Sequence, residues 1–212
     1  MPRGTREVTN SMMLRLKAPE RRKQLMAVAT TLFSQRGYDA TTTAAIALAA
    51  GISEPVLYRH FENKRDLFIG VLRACTELLT GYWGAPALSS VSAAEQIRLI
   101  ASSVHNVLPE ISDAQRVVYG AAATSCDPEV RAVLKEHTDR FIELGRQVVK
   151  RGQASGEFRI DFDSDAMAWA IINMYTGFSF TRLHLSTTNN MDLRVSIELI
   201  VSGLLRTDGQ RK

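Results

Sequence analysis

Between Thr41 and Phe61 the chain holds two short apolar-faced segments hinged on one glycine, and this stretch constrains the fold more than any other. Ile46, Ala47 and Ala50 share one face of a helix over 43–50, and Gly51 supplies the tight turn that a short inter-helix connection needs. Ser53 is a good N-cap for the helix that follows, and Pro55 is tolerated in its first turn, where N–H groups have no intrahelical partner. Leu57 and Phe61 at i and i+4 anchor that helix inside and leave its other face outward. A short helix, a glycine turn and a second short helix suit a DNA major groove. The second helix enters with its N-terminal residues at base edges while the first crosses the backbone.

Helical periodicity continues on both sides. Pro19 suits the start of a first helix whose stripe is Leu25, Val28, Ala29, Leu32 and Phe33, and Gly37 ends it. Asn63 with Asp66 resembles a capping box for a fourth helix, along which Leu67, Val71, Leu72, Cys75 and Leu79 lead to Trp83 and link the two parts of the chain. A loop over 84–90 follows. Ser92 and Glu95 form a capping box for a helix ending before Pro109, Ser112 caps one running to about Thr124, and Asp127-Pro128-Glu129 opens a longer one that stops near Gly156. Residues 158–162 read as a short loop, with no strand alternation in the chain.

The eighth helix, over 164–184, is apolar around most of its circumference through Met167, Trp169, Ile171, Ile172, Met174, Tyr175, Phe178 and Phe180. After a polar loop over 186–190, the last helix carries Leu193, Ile197, Ile200, Val201 and Leu204 on one stripe. Two terminal helices this apolar point to a homodimer formed through them. The expected fold is all-α with about nine helices. It comprises a flexible basic arm over 1–18, a helix-turn-helix DNA-binding domain over 19–66 and a helical dimerisation domain over 67–212.

Charge supports this division. Residues 1–70 carry eleven Lys or Arg against six Asp or Glu, a net of +5, whereas the rest carries fifteen against sixteen, a net of −1. A basic segment beside a near-neutral one suggests that the first part meets a polyanion and the second does not. Cys75 and Cys126 are far apart and read as packing residues in a reducing cytoplasm, and His60, His105, His137 and His184 are scattered, so no metal or cofactor is implied. No apolar run marks a signal peptide or a membrane span. No Gly-rich phosphate loop, Gly-x-Ser-x-Gly or carboxylate pair indicates catalysis, so no catalytic residue is named and the chain is not expected to be an enzyme.

From about Arg22 to Phe68 the chain closely resembles the TetR (tetracycline repressor) family of bacterial regulators. The matches in register are Leu-Phe-Ser-Gln-Arg-Gly-Tyr38, the Thr-Thr pair before the second helix, Ala-Gly-Ile-Ser53, Leu-Tyr-Arg-His-Phe61 and Asn-Lys-Arg-Asp-Leu67. The resemblance implies a dimer on a palindromic operator and an inducer bound by the C-terminal part. It places Thr43, Tyr58, His60 and Lys64 at phosphates and Glu54, Pro55 and Val56 facing bases, and Thr42 and Ser53 are further candidate DNA-binding residues. The chemistry agrees: hydroxyl, imidazole and ammonium groups fix orientation on the duplex, Glu can accept from cytosine N4, and Val can pack on a thymine methyl. Arg59 can reach phosphate or base. Two positions depart from the pattern. Ala44 lacks the long polar side chain that some relatives present to bases, and Glu54 brings negative charge toward DNA unless it caps or pairs locally with Arg59 or Arg21.

On the ligand side, Trp83, His105, Tyr119, Phe141, Met174 and Phe178, with Asn173 and Arg182 as polar companions, are candidates to line a site for a mostly apolar small molecule. The expected function is a ligand-responsive repressor. The alternatives are an activator, or a helical adaptor or architectural DNA-binding protein without an inducer.

Overall fold

The structure is a computed structural model describing residues 17–85, 90–103, 109–184 and 193–205. Most of the proposed basic arm, the loop over 186–190 and candidate His105 lie outside the described residues. Among the described residues the chain forms nine helices and no strand longer than an isolated bridge.

Helix α1 (Ala18–Ala40) buries Leu25, Ala29 and Phe33 on the expected stripe. Its backbone leaves helical geometry at Gly37, whose φ of 76° favours glycine, and a short last turn carries on to Ala40. The Thr41 hydroxyl donates to the Gly37 carbonyl at 2.8 Å and secures that turn. Helix α2 (Thr43–Ala49) is capped by Thr42, whose Oγ1 accepts from Ala45 N at 3.1 Å. Gly51, at φ 68°, then turns the chain into α3 (Glu54–Leu57). That helix is a single turn, shorter than expected, and Ser53 occupies the N-cap position without a side-chain cap. Asn63 caps α4 (Lys64–Trp83) by accepting from Asp66 N, and Asp66 returns a carboxylate to Glu62 N.

The remaining helices are α5 (Ala93–Ser103), α6 (Pro109–Thr124), α7 (Pro128–Ala154), α8 (Ser164–His184) and α9 (Leu193–Leu204). Ser112 was the expected cap of α6, but the helix begins at Pro109, whose fixed φ suits a first turn, so Ser112 lies inside it. Asp127 caps α7, accepting from Glu129 N and Val130 N. At the far end of α7, Gly152 faces the Phe158 ring so closely that a Cβ there would stand 2.2 Å from it. This approach lets the chain double back: Phe158 bridges to Leu205, and Arg159 N donates to the Leu204 carbonyl at 2.9 Å.

One core runs without interruption from Leu25 and Phe33 through Phe68 and Val117 to Val201 and Leu204. The α1 helix packs on α4 and α6, α4 packs on α6 and α7, and α7 lies along α8. Cys75 is buried, as a packing residue should be, but Cys126 is exposed between α6 and α7. On α8, Ala168, Ile171, Ile172, Tyr175 and Leu183 are buried, while Trp169 and Phe180 remain exposed on a face shared with Ala166, Ala170 and Gly177.

Candidate nucleic-acid interface and effector cavities

The α2–α3 platform is built on a polar knot. Thr43 Oγ1 donates to Glu54 Oε1 at 2.5 Å and lies 3.0 Å from the Tyr58 hydroxyl, so the two helices are tied at the point where they diverge. Thr43 is buried and commits its hydroxyl inward. Glu54 is held by Thr43 rather than by Arg59 or Arg21, and Arg21 bonds Gln24 instead. Tyr58 keeps an exposed ring, and Arg59, Pro55, Ser53 and Thr42 are exposed with it. Val56 is half-buried, while Ala44 and the 80% exposed Leu48 complete the outward face of α2. Leu48 was not anticipated as a surface residue; its only signal is that it falls off the Ile46–Ala47–Ala50 face.

Two cations flank this platform. Lys64 Nζ sits 4.3 Å over the Tyr38 ring and donates to the Asp39 carbonyl at 3.2 Å, which fixes an ammonium at the start of α4. Arg22 stacks 4.0 Å over Phe61 and donates to the His60 carbonyl, so α1 holds the end of the recognition segment in place. Sequence reasoning missed Arg22, whose role depends on a contact across many residues. Together these groups present hydroxyl, guanidinium and ammonium donors around a narrow helical ridge, a surface suited to phosphates flanking a groove.

Two cavities of about 230 Å³ each lie in the bundle. The first, between α4, α5, α7, α8 and α9, is mostly apolar, with Trp83, Ile97, Leu144, Ile171 and Ile197 on its walls and Gln96 and Arg151 at its polar side. Arg151 Nη2 donates to Gln96 Oε1 at 2.6 Å. The second, between α4, α6, α7 and α8, has Gln115, Tyr119, His137, Phe141, Trp169 and Asn173 on its walls. Tyr175 lines both and forms the partition, packing edge-on against Trp83 at 4.3 Å while its hydroxyl accepts from Gln115 Nε2 at 3.1 Å. Burial raises the pKa values of Tyr119 and Tyr175, and burial aided by Arg140 lowers that of His137 to about 4, so all three are neutral donors or acceptors near pH 7.

Of the residues expected to line a ligand site, Trp83 borders the first cavity and Tyr119, Phe141 and Asn173 border the second. Met174 and Phe178 pack against the core and line neither. Arg182 also lines neither, although part of its guanidinium is buried. Gln96, Gln115 and His137 were missed, although each is a polar residue interrupting an apolar stripe, which is a readable signal. Among the described residues no group of His, Cys, Asp and Glu could hold a metal ion, and no helix is long and apolar enough to cross a membrane.

Residues 25–71 match the profile of the family described as bacterial regulatory proteins, tetR family. The chain is 31% identical over 150 residues to the HTH-type transcriptional repressor KstR2 of Mycolicibacterium smegmatis, covering 68% of this chain and 71% of that one. It is 30% identical over 137 residues to the HTH-type transcriptional activator FasR of the same organism, covering 65% of this chain and 62% of that one. A transcriptional regulator of Saccharomonospora viridis in complex with choline shares the fold at a TM-score of 0.78 and 20% identity, over 89% of this chain and all of that one. Recognition platform, helical bundle and sequence agree, and the chain belongs to the tetR family of bacterial regulatory proteins.

Proposed function

We propose that the protein is a homodimeric, ligand-responsive repressor that leaves a palindromic operator when a small, mostly apolar effector fills the bundle. The observation that carries the DNA-binding half is the Thr43–Glu54–Tyr58 knot, which ties α2 to a single-turn recognition helix flanked by the exposed Ser53, Tyr58 and Arg59. Residues 19–66 act as the DNA-binding unit and 67–212 as the effector and dimerisation unit. In this reading Thr42, Ser53, Tyr58, Arg59, His60 and Lys64 contact phosphates, Pro55 and Val56 face bases, and Glu54 is reserved for Thr43, which leaves much of the discrimination to DNA shape. The exposed Trp169 and Phe180 of α8 and the exposed Val195 and Leu199 of α9 supply an apolar face for a second copy. Nothing in the site suits catalysis, and the protein acts in the cytoplasm, where DNA and effector meet.

Two recognition helices must sit about 34 Å apart to enter successive major grooves. An effector releases the operator only if it binds the wrongly spaced dimer more tightly, and the two cavities bordered by α4, α7 and α8 are placed to bias that spacing. Activation is the second reading, favoured by the likeness to an activator as well as a repressor.

Selection of bound sequences from a random duplex pool, followed by salt titration of the winner, tests the proposal. It should return a palindrome with half-sites about one turn apart. Tyr58→Ala and Lys64→Ala should weaken binding to all duplexes, and Lys64→Ala should lower the salt slope by about one. Loss of neither affinity would place the DNA elsewhere on the molecule, and no enrichment would favour an adaptor.

A further inference from the structure

Five arginines define a pattern that one of them leaves unfinished. Arg65, Arg98, Arg146 and Arg159 each present the Nε/Nη2 edge of the guanidinium to a carboxylate, those of Asp127, Glu198, Asp165 and Asp161 respectively, at distances from 2.5 to 3.3 Å. The same two nitrogens of Arg182 are buried, and neither has a hydrogen-bond partner among the described residues. That edge carries two parallel N–H donors whose spacing matches a carboxylate, and burying it unpaired is costly.

The surroundings of Arg182 are polar and equally incomplete. Ser179, one turn earlier on α8, is 0% exposed and its Oγ has no partner in hydrogen-bonding geometry among the described residues. Gln115 is 1% exposed and satisfies only one end of its amide, through Tyr175, leaving Oε1 empty. Exchanging the amide O and N would leave the other atom empty instead, so the deficit does not depend on that assignment. Gln115, Tyr119 and Tyr175 line the second cavity, and Tyr119 also feels the positive charge of Arg182. On α8, Tyr175, Ser179 and Arg182 follow one another at i, i+4 and i+7, so Arg182 stands about two turns beyond the Tyr175 wall of that cavity.

We propose that the effector carries a carboxylate, received side-on by the Nε/Nη2 edge of Arg182, while its apolar body fills the cavity lined by Leu79, Leu134, Phe141 and Trp169. Ser179 and Gln115 complete the polar end, and Tyr119 is the side chain that turns aside to admit it. This rests on the effector reading above and adds the chemical class of the ligand and the residue that selects it.

The test uses the full chain, two aryl carboxylates (phenylacetate and hydrocinnamate) and the alcohols of the same carbon skeletons, followed by tryptophan fluorescence because Trp169 borders the cavity. The carboxylates should bind the parent about tenfold or more tighter than they bind Arg182→Met, and the alcohols should bind both proteins alike. Without ligand, Arg182→Met should melt at or above the parent temperature, since it removes two buried donors that have no partner among the described residues. Arg182→Lys keeps the charge but not the fork and should show the same loss of preference, which covers failure of the Met variant to fold. Equal carboxylate binding by parent and variants would overturn the proposal. If the alcohols bound under that outcome, the effector cavity would stand and only the carboxylate receptor would fall. Binding by no probe of either kind would overturn the receptor too, while operator selection judges the DNA-binding reading separately.

Discussion

His137 illustrates how burial sets the charge of one side chain. Its ring lies 4.5 Å from that of Phe141, its Nδ1 is 3.5 Å from Thr80 Oγ1, and desolvation first and the Arg140 charge second depress its pKa from 6.5 to about 4. The folded protein therefore refuses a proton that the unfolded chain accepts below about pH 6.5, so the stability present at neutral pH is lost as pH falls from 6.5 toward 4. At about pH 5 the loss should be on the order of 1–2 kcal/mol. His184 shifts the same way through burial and Arg116, so the effect of His137 is read as the difference between the parent and His137→Gln. Urea midpoints measured at about pH 7 and 5 should move less in the variant than in the parent. Equal movement would mean that His137 keeps its ordinary affinity for protons in the fold.

At the scale of elements, α5 shows how a helix can be capped from far along the chain. The Glu157 carboxylate accepts from Ala93 N at 2.9 Å and from Ala94 N at 3.0 Å, while the local cap Ser92 Oγ accepts from Glu95 N at 3.2 Å. An anion at a helix N-terminus satisfies orphan donors and meets the favourable end of the dipole. Glu157→Ala should therefore cost about 1 kcal/mol or more, Ser92→Ala less, and Glu157→Gln an intermediate amount, all measurable by urea unfolding. If Ser92→Ala cost more, the local cap would dominate. The contrast explains what was legible in the sequence. Asn63 and Asp127 were readable as caps because donor and acceptor lie within three residues, and the stripe through Leu25, Ala29 and Phe33 because its period is local. Glu157 was not readable, since its place depends on Phe158 folding back over Gly152 to meet Leu205. The early end of α3 and the Thr43–Glu54–Tyr58 knot were hidden for the same reason: each is decided where two helices meet. In the site, exposed Tyr58 and the Lys64 anchor belong to a motif of fixed spacing, whereas Gln115 takes its meaning from Tyr175, which lies on another helix far along the chain.

Across the whole molecule, α4 is the member that both ends share. It begins at Lys64 beside the recognition platform and ends at Trp83 on the wall of the first cavity, a span of about 30 Å at helical rise. Its first turn is clamped to the start of α7: Arg65 grips Asp127 through Nε and Nη2 and also reaches Glu129, which pairs with Arg73 one face along. Because α7 borders both cavities, a shift of α7 would reach α4 through this clamp, one residue from the proposed phosphate contact Lys64. These side chains are substantially exposed, so the clamp adds little to global stability and matters for position. Arg65→Ala should accordingly leave the urea midpoint almost unchanged while hydrogen exchange quickens over 43–61 and in the first turns of α4 and α7. Exchange over 43–61 at the parent rate would assign the link instead to α1, which lies along α6 and joins it through Ser34 and Asp113 at 2.8 Å. Either result identifies which helix links the bundle to the recognition segment, because α1 packs on α2 as well as on α4 and α6, while α4 follows that segment in the chain and packs on α6 and α7.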